Sequence, residues 1–269
     1  KTALYLDGQP VVDYLFKRGE IVEILAISQQ AVTLAQEIHV RHEIIGSVEN
    51  INSQTDSFTV LGQEVLTTSL NQPLPQIGRS VQVSGFRDRH GRIHATRIEE
   101  TTRTDVLLTG ILRKIKDRYY IGRQELRYTD RAAFNENTRV RVQGIIREGV
   151  LSVSKYTPLD RLHFTGSINR LLEQGFVVKG DGQQYKIGTR IFAVQPLQLS
   201  RLFDTQTGQI IRLEMRRNLA GGWEAIRSIS SRGLPLGQPR LPVTKLPRKS
   251  YQINLPSRIE RNLRMPNSP

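Results

Sequence analysis

Histidines, acids and nucleophiles are the first residues to ask for chemistry. His39 and His42 stand three apart, and His90 and His94 four apart. Both pairs fall in stretches of two-residue alternation, where ligands on one face need even spacing. Gly91 puts a turn inside the even pair, and no carboxylate flanks either pair in register, so the histidines read as solvent-facing rather than as metal ligands. The chain has no cysteine, no Gly-x-Ser-x-Gly elbow and no Ser-x-x-Lys in a helical setting, so the familiar nucleophile arrangements are missing. Glu99 and Glu100 are an adjacent acid pair at a strand end, the usual place of a solvated boundary. Gly180-Asp181-Gly182 lacks the lysine and helix that follow a phosphate loop and reads as a hairpin turn. The expectation is a protein that is not an enzyme and uses no cofactor or metal.

Positive charge is the second candidate for chemistry. A net charge of +14 and a pI near 10.4 favour phosphate polymers, anionic lipid or an acidic protein surface. The densest basic and aromatic cluster is Arg113, Lys114, Lys116, Arg118, Tyr119, Tyr120, Arg123, Arg127 and Tyr128, and Arg139, Arg141 and Arg147 continue it. A single-stranded nucleic acid could lie along Arg113, Lys114, Lys116, Arg118, Tyr120, Arg123 and Arg127. Strand alternation points Tyr119 and Tyr120 to opposite faces, so one at most can stack a base, and it puts many of the arginines on the solvent face. Aromatic residues are only 6% of the chain, with one tryptophan, which is lean for base stacking.

These residues sit on a repeated frame. In Gly78-x-x-Val81-x-Val83-x-Gly85, alternation gives way at Gly85 to a turn and resumes after Gly91 through Ile93 and Ala95, the pattern of a half-buried hairpin. Val22, Val81 and Val140 begin the same frame at intervals of 59 residues, and Ile211 follows after 71. Units of roughly 60 residues bury only about 60% of their unfolded surface, so contacts between neighbours should matter.

Five segments follow: an incomplete unit (1–45), three units of about five short strands (46–105, 106–160 and 161–232) and a tail (233–269). The first unit lacks the opening strand that Gly46-Ser47-Val48 starts in the second, and Gly166-Ser167-Ile168 starts in the fourth. Its Leu6-x-Gly8-Gln9-Pro10-Val11 matches Val60-Leu61-Gly62-Gln63-Glu64-Val65. The fold class expected is all-β, a tandem of small OB-like five-stranded antiparallel barrels, the first incomplete, with an extended Pro/Arg-rich tail. Residues 129–136 of the third unit are expected to make one helical turn. No run of about 18 apolar residues is present, so no helix is expected to span a bilayer.

The tail holds seven of the 12 prolines and seven Lys or Arg against one acid, Glu260. Such a segment builds no core of its own. Its Leu241, Val243, Leu246, Arg248, Tyr251, Ile253, Leu255, Arg258, Ile259, Arg261, Leu263 and Arg264 are placed to engage another protein in extended conformation.

With Gly46-x-Val48-x-x-Ile51, Phe58-x-Val60-x-Gly62-x-x-Val65 and Gly78-x-x-Val81-x-Val83-x-Gly85, the chain resembles a bacterial family of small tandem OB-like repeats in exported proteins, catalogued only as a domain of unknown function. The resemblance is strongest from Gly46 to Glu99, and its motifs are structural, so it implies a fold and an exported protein, periplasmic or at the cell surface, but no catalytic residue. The chain opens on Lys1 within a repeat, which reads as a processed or partly resolved chain whose beginning, including an export signal, lies upstream. The function expected is a non-catalytic scaffold or accessory subunit. Its partners would be other protein subunits, including a membrane-associated complex or a homopolymer built by strand addition at the incomplete unit, with single-stranded nucleic acid as the alternative.

Overall fold

The computed structural model describes residues 2–29, 32–68, 70, 72–128, 134–159, 168–180, 184–188, 190–194 and 210–230. The tail at 233–269, the glycine turn at 181–182 and most of the expected helical turn at 129–136 lie outside these residues. Every element among them is a strand.

Three units close as barrels. The first barrel is made of β5 (Ile44–Asn52), β6 (Ser57–Val60), β7 (Gln63–Leu66), β8 (Ser80–Arg87) and β9 (Ile93–Glu100). The second is made of β10 (Val106–Ile115), β11 (Arg118–Ile121), β12 (Gln124–Arg127), β13 (Arg139–Arg147) and β14 (Val150–Pro158). The third is made of β15 (Arg170–Lys179), β16 (Gln184–Ile187), β17 (Arg190–Ala193), β18 (Ile210–Arg217) and β19 (Trp223–Ser230). In each, the strands lie in the order first, second, third, fifth, fourth, and the first closes on the fourth. All pairings are antiparallel except third with fifth, as in Val65 opposite Ile93 and Leu126 opposite Leu151. This is the OB arrangement, with one parallel pairing that strand spacing alone did not reveal.

The repeated frame occupies the fourth strand. Val81 and Val83 in β8, and Val140 and Val142 in β13, point inward and are fully buried. Gly85 begins no turn. It lies within β8 at a register shift after Ser84, and β13 shifts likewise at Gln143/Gly144 and β18 at Glu214/Met215. A Cβ on Gly85 would meet the carbonyl oxygen of His94, so glycine there lets the two backbones close at the bulge. The chain reverses later, where Gly91 N–H donates to Asp88 O.

The cores of the first two barrels run together, joining Ile44, Phe58 and Val83 to Leu108, Leu112 and Val142. Each such side chain stabilises the fold by about 1.5–3 kcal/mol on burial. The third barrel has its own core, around Phe192, Leu213 and Met215. The first two barrels also share a ladder: Ile44 and Ile45 pair with Val83 and Gln82 on one side and with Leu108 and Leu107 on the other. That double pairing accounts for β5 beginning two residues before Gly46.

The first unit does not close. Its strands β1 (Ala3–Leu6), β2 (Gln9–Val11), β3 (Ile21–Gln29) and β4 (Val32–Arg41) form a sheet in the order β2-β1-β4-β3. The turn between β1 and β2 repeats that between β6 and β7: Asp7 and Gly8, like Leu61 and Gly62, all have positive φ, a type I′ reversal. The hairpin is nevertheless placed the other way round. In the first barrel its second strand, β7, lies beside the closing strand; here the first strand, β1, lies parallel to β4, with Leu4 opposite Ile38 and Leu6 opposite Val40. Pro10 accounts for the exchange, because it has no N–H to give a second neighbour and so confines β2 to an edge.

Candidate interaction surfaces

Two rows of apolar side chains cross the four-stranded sheet on one face. Register aligns Val11, Leu4, Ile38 and Ile24, and beside them Leu6, Val40 and Val22. Val22 and Ile24 hold the positions that Val81 and Val83 hold in the first barrel. They are 39% and 51% exposed, whereas Val81 and Val83 are fully buried. The other face, carrying Tyr5 stacked on His39 with centroids 4.5 Å apart, is partly buried.

The sheet is clamped at its ends. Gly19, at φ 91°, presses against the carbonyl of Thr96, leaving no room for a Cβ, and Thr96 Oγ1 donates to Gly19 O at 2.6 Å. Lys17 Nζ meets Glu99 Oε1 at 2.7 Å, and Arg97 Nη2 meets the same oxygen at 2.6 Å. Arg97 and Lys17 hold the Glu99 carboxyl down at about 2. Glu99 is therefore an ion-pair partner, while Glu100 beside it is exposed.

The other clamp is buried charge. Asp7, at the β1–β2 turn, accepts from His42 N and pairs with His42 Nδ1, each at 2.9 Å, and from Arg103 Nη1 at 3.2 Å. Burial raises the Asp7 pKa, but the His42 hydrogen bonds and charge, with Arg141, outweigh it and hold the carboxyl below its ordinary value. Next in sequence, Glu43 bridges the first two barrels, accepting from Arg87 Nε at 3.1 Å and from Arg139 Nη2 at 2.5 Å. Its burial is likewise overcome by Arg139 and Arg87, so it stays ionised. Gln63 Nε2 crosses the same junction to Ile121 O at 2.9 Å. Arg41, which pairs with Glu23, is brought down to about 10 by burial.

Sequence reasoning missed this cluster. His42 was expected at the surface and is 3% exposed; Arg141, on what looked like a solvent face, is 6% exposed. Alternation correctly points Arg141 out of its barrel, but at this place outward means into the junction. Three of the four described histidines have a carboxylate neighbour: Glu37 for His39, Asp7 for His42 and Asp88 for His94. Asp7 is 35 residues from His42, so no local spacing reports it. Among the described residues no three His, Asp or Glu side chains converge in a metal-binding group.

The residues proposed for nucleic acid divide among four places. Arg113 is opposite Tyr120, which is opposite Glu125, so these lie on one outer face with Arg118 and Arg127. Glu125 sits amid them, pairing with Arg118 at 3.2 Å and accepting from Tyr120 Oη at 3.4 Å. Lys114 points to the other face, over the Tyr119 ring, and pairs with Asp117 at 3.2 Å. Lys116 is in the β10–β11 turn, and Arg123, in the next turn, packs against Gly62 of the first barrel. The structure thus gathers four of the seven, around an acid. The tail residues proposed to bind a partner lie outside the described residues.

The architecture is three OB-like barrels with an open sheet clamped beside them. A family model described as a domain of unknown function, DUF5666, matches residues 45–99, which is the first barrel. No curated protein and no solved structure matches the chain. No helix among the described residues is long and apolar enough to cross a membrane.

Proposed function

We propose that the chain is a non-catalytic scaffold or accessory subunit of a larger bacterial extracytoplasmic assembly, with its tail as one point of attachment. The observation that carries this reading is the join between the first two barrels: a shared ladder at Ile44 and Ile45, a common core and the buried Glu43 bridge. A join of that kind holds two barrel faces at a fixed spacing, which is what a scaffold supplies.

The test compares the full chain with a chain ending at residue 232, both checked by thermal melt. The expected result is a stoichiometric envelope-fraction partner retained only by the full chain, and oligonucleotide affinity that disappears at physiological salt. Single-strand affinity that survives there, with a salt slope below about 0.9 per phosphate contacted, would replace this reading with nucleic-acid binding at Arg113, Arg118, Tyr120 and Arg127.

A further inference from the structure

The open sheet holds four of the five places of a barrel. Its two edges are β2 and β3, and the place between them, which no described residue fills, is the one the first strand takes in every complete unit. The chain itself shows the chemistry of that strand. In β5 it reads Ile44-x-Gly46-x-Val48 and in β10 Leu108-x-Gly110-x-Leu112, with all four apolar side chains buried. The glycine has a fixed place: Gly46, Gly110 and Gly175 are opposite Val81, Val140 and Ile211, the first anchor of each fourth strand. A Cβ there would press on Val60, Ile121 or Ile187, each the last residue of the second strand.

Strand directions agree. Since β2 and β3 are both antiparallel to β4, they run parallel to each other, and an inserted strand antiparallel to one is antiparallel to both, as β5 is to β6 and β8. The place also lacks its cover, because Val22 and Ile24 are solvent-exposed where their counterparts are fully buried.

We infer that the open sheet accepts a donor strand from a different polypeptide, an extended segment with the pattern apolar-x-Gly-x-apolar. The strand bonds antiparallel to β3, its glycine opposite Val22 and the apolar residue two before it opposite Ile24, and it only packs beside β2, where Pro10 has no N–H to give it. A second copy is a poor donor: among the described residues its strands of this pattern, β5 and β10, are already built into their own barrels. The inference rests on the scaffold reading and names the kind of partner that the scaffold holds.

The probe is a fluorescent peptide with the sequence of residues 44–52, titrated into the full chain. Saturable binding is expected, weakened about tenfold or more, equivalent to about 1.4 kcal/mol, by valine in place of the peptide's glycine and by Ile24→Lys in the chain. Because Ile24 is half exposed, that variant keeps its fold, which a thermal melt verifies. The chain has no cysteine, so register is read by oxidising an Ile24→Cys chain with peptides carrying one cysteine each. The disulfide should form with the cysteine two residues before the glycine and not with one a residue away. No saturable binding, equal binding by Ile24→Lys, or cross-linking without regard to register would overturn the inference. Those results leave the scaffold reading standing, whereas oligonucleotide affinity at physiological salt removes that reading whatever the peptide does.

Discussion

Val22 and Val81 begin the same motif 59 residues apart, yet the first is 39% exposed and the second fully buried. The open sheet and the first barrel share the anchor spacing, the bulge in the anchor strand, at Leu25/Ala26 in β3 as at Ser84/Gly85 in β8, and the type I′ hairpin turn. They differ in one strand and in the way the hairpin is placed. The comparison teaches that the burial of an anchor is not a property of the motif that carries it. It is conferred by the strand laid across it, and the same residues serve as core in one unit and as surface in the other.

The sharpest way to break the comparison is to make one substitution at both equivalent places. Val83→Asp puts an unpaired carboxylate into a fully buried site and should abolish cooperative folding of the first barrel, whereas Ile24→Asp should change stability by no more than about 0.5 kcal/mol. Urea denaturation of the two variants reads the difference. Equal losses would mean that the open sheet is already covered.

A second substitution tests the join. Glu43→Ala leaves Arg87 and Arg139 without their shared carboxylate and should cost about 3–5 kcal/mol. The loss should appear in a single transition for the first two barrels. Two separated transitions would show that the Glu43 bridge couples barrels that are otherwise independent.

The smallest effect concerns the outer clamp. Glu99→Gln should cost less than about 1 kcal/mol at neutral pH, since the pair is near the surface. The Glu99 pKa is lowered in the folded protein to about 2, so its contribution is present above the ordinary carboxylate value and is lost as pH falls through the folded value. The difference between parent and variant should therefore fade between about pH 4.5 and pH 2. A difference that stays constant across that range would remove Glu99 from the clamp.

Much of the barrel was legible because each turn and anchor is a local signal. Alternation at Val81 and Val83, glycine at the reversals and the 59-residue interval all act within a few residues of the backbone they shape. What escaped reading depends on approach from a distance. Gly85 looks like a turn glycine in sequence, and only the nearness of the His94 carbonyl makes it a bulge. Pro10 was visible, but its effect, which strand becomes the edge, needed β4 to be in place. Asp7 finds His42 across 35 residues and Arg103 across 96. The candidate site was legible in part: the missing first strand could be read from the repeat, while the exposure it leaves on Val22 and Ile24 could not.

The ladder at Ile44 and Ile45 bears on how the chain divides. In sequence the second and third units part near residue 105, and a cut there severs no strand. Yet β5 is bonded to β8 and to β10 through the same two residues. Separating the barrels would strip one side of that strand and bare the core they share, so the unit of duplication is smaller than the unit of folding. Selection on either barrel's stability therefore acts on both.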